Sequence, residues 1–135
     1  MQRLIYISTS RQVIETGELD RILTISRRNN AGAGVTGLLI AGGRRFLQAL
    51  EGDADAVEAT FRRIGRDPRH FAVVTLRRET IAARAFPDWT MGYQRATALA
   101  GQASLPAIVD ALTGDIADPT IRAYFTGFAE VNAAA

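Results

Sequence analysis

The stretch RRFLQALEG, Arg44 to Gly52, decides the fold. It alternates as a strand does, with Phe46, Gln48 and Leu50 on one face and Leu47 and Ala49 on the other. Its flanks are apolar enough to be buried. Gln48 is therefore a primary amide set into an apolar face. Each polar group of a buried amide left without a partner costs roughly 1–3 kcal/mol. Either the chain satisfies Gln48 with its own groups or a ligand does.

The elements on either side of this strand follow from local signals. Upstream, Gly42-Gly43 joins it to a strand over Val35 to Ala41, and a two-residue Gly-Gly loop signals a hairpin. Downstream, Asp53 caps a helix of about Ala54 to Arg66. Its core face is Val57, Thr60, Phe61 and Ile64, and Asp67-Pro68 lies just past its end. Leu4 to Ser8 is apolar and β-branched enough for a first strand. Thr16 can cap a helix of about Gly17 to Asn30, with Glu18 and Asp20 favourably placed in its first turn. Leu19, Ile22, Leu23, Ser26 and Asn30 make one stripe on that helix, apolar at its start and polar at its end. The glycines from Gly32 to Gly34 end it. Phe71 to Arg77 reads as a fourth strand. Asp88 to Tyr93 reads as a fifth, with Trp89, Met91 and Tyr93 on one face.

The order β-α-β-β-α-β-β is an α+β, ferredoxin-like pattern with one added strand and two helices on one face of the sheet. The first and third strands are expected to be central neighbours running parallel. Tyr6 and Gln48 then sit mid-strand and can be adjacent on one face. After Ala96 the chain changes character. Ser104 can cap a helix to about Thr113, with Gly114 as its stop. Asp118-Pro119 is a cap followed by proline at the first helical position, opening a helix to about Glu130. These two helices are too small to form a domain of their own. Residues 1–96 are expected to form the main unit, with 97–135 as a C-terminal helical cap on the bare sheet face.

Composition bounds the function. The chain has 135 residues and is 47% hydrophobic, enough for one domain with a core. It has no cysteine, which excludes disulfides, thiolate metal sites and cysteine nucleophiles. Its 16 basic residues are all arginine and face 14 acidic ones, for a net charge of +2. The arginine pairs are dispersed, so direct nucleic-acid binding is not expected. No apolar run approaches the ~20 residues that span a bilayer, and the N-terminus has too short an apolar run for a signal peptide. The expected location is the cytoplasm.

Tyr6, Gln48, Ser26 and Asn30, with Trp89 and Met91, point at one place. Amides read two sides, offering donors and an acceptor, and suit a planar heterocycle that alternates carbonyl and ring nitrogen. Each residue also has a plain reading: a core tyrosine, a helix end, simple packing. Gln48 fits its plain reading least well. The segments LIYIST, ISRRNN, VTGLLI, RFLQALEG, RIGRDPRH and FPDWTMGY, in this order over Gln2 to Gln94, resemble the successive signatures of the BLUF family, blue-light sensors that use FAD. The full length resembles the short members, which carry a helical cap and no fused output domain.

The resemblance implies a role for each matching position. Tyr6 matches the electron donor, and Gln48 the glutamine between that tyrosine and the flavin. Asn30 matches the asparagine on the carbonyl and imide edge, with Asn29 and Ser26 beside it. Trp89 and Met91 match the tryptophan and methionine near that glutamine. Arg63, Asp67, Arg69 and His70 match the polar set on the ribityl and phosphate side. Ile22, Ile25, Phe46 and Ile64 are expected as apolar walls. The implied protein is a photoreceptor and not an enzyme, holding FAD noncovalently. It would signal to a downstream protein or through a homo-oligomer such as a dimer. The rival readings are a flavin-dependent oxidoreductase and a ferredoxin-like module that binds a small molecule.

Overall fold

The hairpin expected from the opening stretch forms, displaced by one residue. In the computed structural model, which describes residues 1–11, 16–42, 44–68, 70–86, 105–114 and 116–132, Gly42 pairs with Arg45 and two residues lie between them. The elements are β1 (Gln2–Ser10), α1 (Thr16–Ala33), β2 (Thr36–Gly42), β3 (Arg45–Gly52), α2 (Ala54–Gly65), β4 (His70–Thr80), α3 (Leu105–Thr113) and α4 (Pro119–Asn132). The fifth strand expected over Asp88 to Tyr93 lies outside the described residues. The hairpin strands approach closely at Gly37, where a Cβ would meet the Ala49 carbonyl oxygen at 1.9 Å. Only glycine fits there.

The sheet order is β2-β3-β1-β4, the ferredoxin-like arrangement. The central pair corrects one expectation, because β1 and β3 run antiparallel. The reason is topological. The α1 crossover returns β2 parallel to β1, the hairpin reverses the chain, and β3 inserts between them. The antiparallel register still makes Tyr6 and Gln48 direct cross-strand partners. β4 pairs with β1 through two register shifts, and Ala72 beside them takes a φ of 52°. Such irregularities twist an outer strand away from regular pairing.

Each face of the sheet has its own core. Leu4, Tyr6, Leu39 and Leu50 pack with Val57 of α2, flanked by Phe46, Phe61 and Ile64. Ile5, Leu38, Ile40, Leu47 and Ala49 pack on the opposite face with Val109 of α3 and Ile121, Phe125, Phe128 and Ala129 of α4. The strand alternation read in RRFLQALEG thus separates the two cores. The C-terminal helices occupy the second face, as their apolar stripes require.

Caps explain where the helices begin and stop. The Thr120 amide donates to Asp118 Oδ1 at 2.9 Å, so Asp118-Pro119 starts α4 as its chemistry dictates. Asp53 sits at the N-cap position of α2 but makes no side-chain capping bond. α1 runs three residues past Asn30. Gly34, with φ of 70°, closes it, as its amide donates to the Ala31 carbonyl and that of Val35 to the Asn30 carbonyl. This pair of bonds is the Schellman closure that glycine favours.

Candidate functional site

Cross-strand register brings the two central polar side chains together. Tyr6 of β1 is 3% exposed and Gln48 of β3 is 4% exposed. The Tyr6 hydroxyl donates to Gln48 Oε1. The Tyr6 ring lies 5.3 Å from that of Phe61, tilted by 56°. Burial pushes the Tyr6 phenol pKa well above its ordinary value, so the group stays protonated at any physiological pH. With the carbonyl oxygen committed to the phenol, the other end of the Gln48 amide is a pair of donors. The pair is therefore an oxidisable, proton-bearing phenol joined to a turnable amide, with Phe46 and Ile64 in the same apolar cluster.

Asn30 is 2% exposed. It lies inside the last turns of α1 and does not end the helix, so its amide is free of the capping role that its position in the sequence allowed. A buried carboxamide there offers donors and an acceptor, as does that of Gln48, and groups of this kind suit a heterocycle carrying carbonyls and ring nitrogens. The apolar Phe46 and Ile64 suit its flat faces. This chemistry fits a flavin.

The other described residues named from the sequence differ in exposure. Asn29 and Arg63 are exposed, and Ile25 is 54% exposed. Asp67 is half-buried, and its amide donates to the Ile64 carbonyl at 3.1 Å. His70 opens β4 opposite Ser10. The side chains of Ile22, Ser26 and His70, and all of Arg69, Trp89 and Met91, lie outside what the structure describes. Among the described residues no cluster of three or more His, Cys, Asp or Glu could hold a metal ion. Among them, too, no helix is long and apolar enough to cross a membrane.

Sequence reasoning missed a second polar cluster, on the opposite face of β3. Glu51 is fully buried. It accepts from Arg3 Nε at 2.7 Å, from the Ala85 amide at 3.1 Å and from the Phe86 amide at 2.9 Å. Arg3 also reaches Glu79 at 3.2 Å, and Arg77 Nε meets Glu79 at 2.7 Å. The Arg77 pKa is raised, first by its hydrogen bond to Glu79 and also by one to Tyr124 of α4. One signal could have revealed the cluster: Arg3 and Glu51 are charges at strand positions whose alternation points inward.

A family model described as "BLUF: Sensors of blue-light using FAD" matches residues 1–92. The chain belongs to the BLUF family. The photoactivated adenylate cyclase subunit beta of Euglena longa is 37% identical to it over 89 residues, which are 65% of this chain and 10% of that protein. The blue light- and temperature-regulated antirepressor BluF of Escherichia coli (strain K12) is 36% identical over 83 residues, 62% of this chain and 21% of the relative. This chain thus spans about a fifth or less of those relatives. The dark-state structure of the BLUF protein BlrB superimposes with a TM-score of 0.71 at 31% identity, over 91% of this chain and 96% of that one. The BLUF match takes in every site residue named from the sequence, Trp89 and Met91 included.

Proposed function

We propose that this BLUF chain is a blue-light photoreceptor that holds FAD noncovalently and signals through a rearrangement of the Tyr6–Gln48 hydrogen bond. The observation that carries this reading is the buried Tyr6 hydroxyl bonded to Gln48 Oε1. Gln48 and Asn30 would hold the polar edge of the flavin, and Phe46 and Ile64 its faces. Ser26, Asn29, Arg63, Asp67, Arg69 and His70 would serve the remainder of the molecule.

When bound, the flavin supplies blue-light absorption and a strong excited-state oxidant. Tyr6 would give an electron to that oxidant, and its phenolic proton would move to Gln48 Oε1, to which it is bonded. Both would then return to Tyr6 by charge recombination, so no net oxidation would remain. Gln48 would be left turned or tautomerised, with a donor available to a flavin carbonyl. A new hydrogen bond of that kind stabilises the system by about 1 kcal/mol, enough for a small red shift and too little to drive a large conformational change alone. A bistable element that feels Gln48 must amplify it. Trp89, Met91 and the cap formed by residues 97–135 are that element, and residues 1–96 hold the flavin. Output then passes to a downstream protein or through a homodimer. The named relatives, a cyclase subunit and an antirepressor, carry output of that regulatory kind. The cytoplasm is the proposed location.

The test begins with the colour of the purified protein and the identity of the flavin released on denaturation. Release of FMN would overturn the choice of FAD. A reversible red shift of the flavin bands under blue light is the expected result. Oxidation of a reduced nicotinamide with no red shift would favour the oxidoreductase reading. Colourless protein that takes up no added flavin would favour the small-molecule module.

A further inference from the structure

Gln48 and Glu51 lie three residues apart on β3, about 10 Å at ordinary strand rise. They point to opposite faces of the sheet. Glu51 is fully buried, and its carboxylate fixes two consecutive backbone amides, Ala85 at 3.1 Å and Phe86 at 2.9 Å. Arg84 ties the same segment down as well. Its guanidinium donates to Thr36 Oγ1 at 2.6 Å, to the Glu51 carbonyl at 3.0 Å and to the Gly34 carbonyl at 2.9 Å. Residues 84–86 are thereby bound to the start of β2 and the end of β3. Phe86 is 1% exposed, and its ring meets that of Phe125 of α4 edge-on at 5.8 Å. In sequence, Phe86 precedes Trp89 by three residues.

A buried ion pair contributes little net stability, because desolvation offsets most of the attraction. Stability alone therefore does not account for a buried carboxylate shared among a guanidinium and two amides. Geometry does: three donors from two directions fix the carboxylate, and it in turn fixes the chain that leads to Trp89. From Glu51 two contiguous routes reach α4. One runs through Phe86 to Phe125. The other runs across the sheet through Arg3, Glu79 and Arg77 to Tyr124.

We propose that Glu51 is a positioning residue that couples the Gln48 strand to the C-terminal helices, by holding the Ala85–Phe86 backbone against the end of β3. This rests on the photoreceptor reading above. A shift of β3 that accompanies rearrangement of Gln48 is carried by Glu51 to Phe86 and from there to Phe125.

The test uses the full, flavin-loaded chain with Glu51→Gln, which keeps volume but turns one acceptor into a donor facing an amide or Arg3. The red shift and its dark recovery are read by absorbance. Amide hydrogen exchange over Pro119–Asn132 is read in the dark and under blue light. The parent is expected to show a light–dark exchange difference in α4. Glu51→Gln is expected to keep the amplitude of the red shift, lose that difference, and change the recovery rate at least about tenfold, equivalent to ~1.36 kcal/mol at the barrier. A purely structural Glu51 lowers the melting temperature and leaves the α4 difference intact, and that result overturns the proposal. If Glu51→Gln yields no folded protein, Arg84→Ala, at a half-buried residue, decides by the same readouts. A parent with no red shift refutes the photoreceptor reading itself. A parent that shifts, with variants that keep its α4 difference, refutes only the role of Glu51.

Discussion

Replacing Tyr6 with phenylalanine removes one oxygen and leaves the ring. The ring keeps its packing against Phe61 and its place in the cluster around Leu4, Leu39 and Leu50. What is lost is the bond to Gln48 Oε1. Because both side chains are nearly inaccessible to solvent, water does not replace the lost donor. The missing bond is worth about 1 kcal/mol, and up to roughly 3 kcal/mol where burial keeps water from replacing the donor. Part of this is offset, since the phenol no longer has to be desolvated. The expected loss is about 1–3 kcal/mol, or roughly 4–12 °C in melting temperature at about 4 °C per kcal/mol for a chain of this size. Flavin should still bind and remain oxidised. With the oxidisable, proton-bearing group gone, the excited flavin should live longer and the red-shifted state should not form. The assay is a difference spectrum before and after blue illumination, on a variant matched to the parent in flavin content. A parent-like red shift in Tyr6→Phe would refute Tyr6 as the required donor and pass the role to Trp89, the protein's single indole. An unchanged melting temperature would refute the energetic account of the bond.

Gln48→Leu keeps volume and removes every hydrogen bond of the amide; flavin should still bind, and the reversible shift should be absent from its difference spectrum. Asn30→Ala should weaken flavin binding by about 1–3 kcal/mol, measured by titrating flavin into apoprotein, whereas unchanged affinity would return Asn30 to a plain role in α1. Gly37→Ala forces a Cβ onto the Ala49 carbonyl, so denaturant melts should show a loss of roughly 3 kcal/mol or more, or no folded protein. The pKa of the Tyr6 phenol is raised in the folded state by burial. The stability linked to its neutral form is therefore complete below the unfolded value of about 10 and falls by up to ~1.36 kcal/mol per unit as pH rises from there toward the folded pKa. Denaturant melts across that range should be steeper in pH for the parent than for Tyr6→Phe.

The sequence was legible wherever a feature depended on near neighbours. Alternation in RRFLQALEG placed Gln48 and Leu47 on opposite faces, and both faces proved to be cores. Asp118-Pro119 announced α4, because a carboxylate cap and a fixed proline φ act within one turn. Errors arose where the deciding partner was distant or subtle. The direction of β3 against β1 depends on the whole crossover and hairpin, and local pattern carries none of it. Gly34 closes α1, within the glycines expected to end it, but the helix runs on to Ala33 because the closing bonds reach back to Ala31 and Asn30 and make Asn30 an interior residue. The hairpin loop moved by one residue because cross-strand register, set by both cores at once, overrides the attraction of a Gly-Gly pair to the turn. Glu51 escaped notice as a site residue because two of its partners are backbone amides, which no side-chain pattern reveals.

The two buried polar groups of β3 differ in what they demand of the chain. Gln48 is neutral, so its amide can turn without leaving a charge behind. Each of its hydrogen bonds is worth about 1 kcal/mol net, small enough for two arrangements to lie close in energy. Glu51 is charged and fully buried, and a carboxylate stripped of partners in that setting costs several kcal/mol. It therefore cannot release Arg3, Ala85 or Phe86 singly, and whatever moves β3 must move those groups with it. A soft amide on one face and a rigid carboxylate on the other give the strand unequal faces. In the proposed photocycle the soft face is reset by a photon's transient redox step. Under the proposed coupling the rigid face conveys displacement without absorbing it, because close-packed cores resist continuous deformation. An apolar residue at position 51 could not grip two backbone amides, and a glutamate at position 48 would resist the proposed rearrangement.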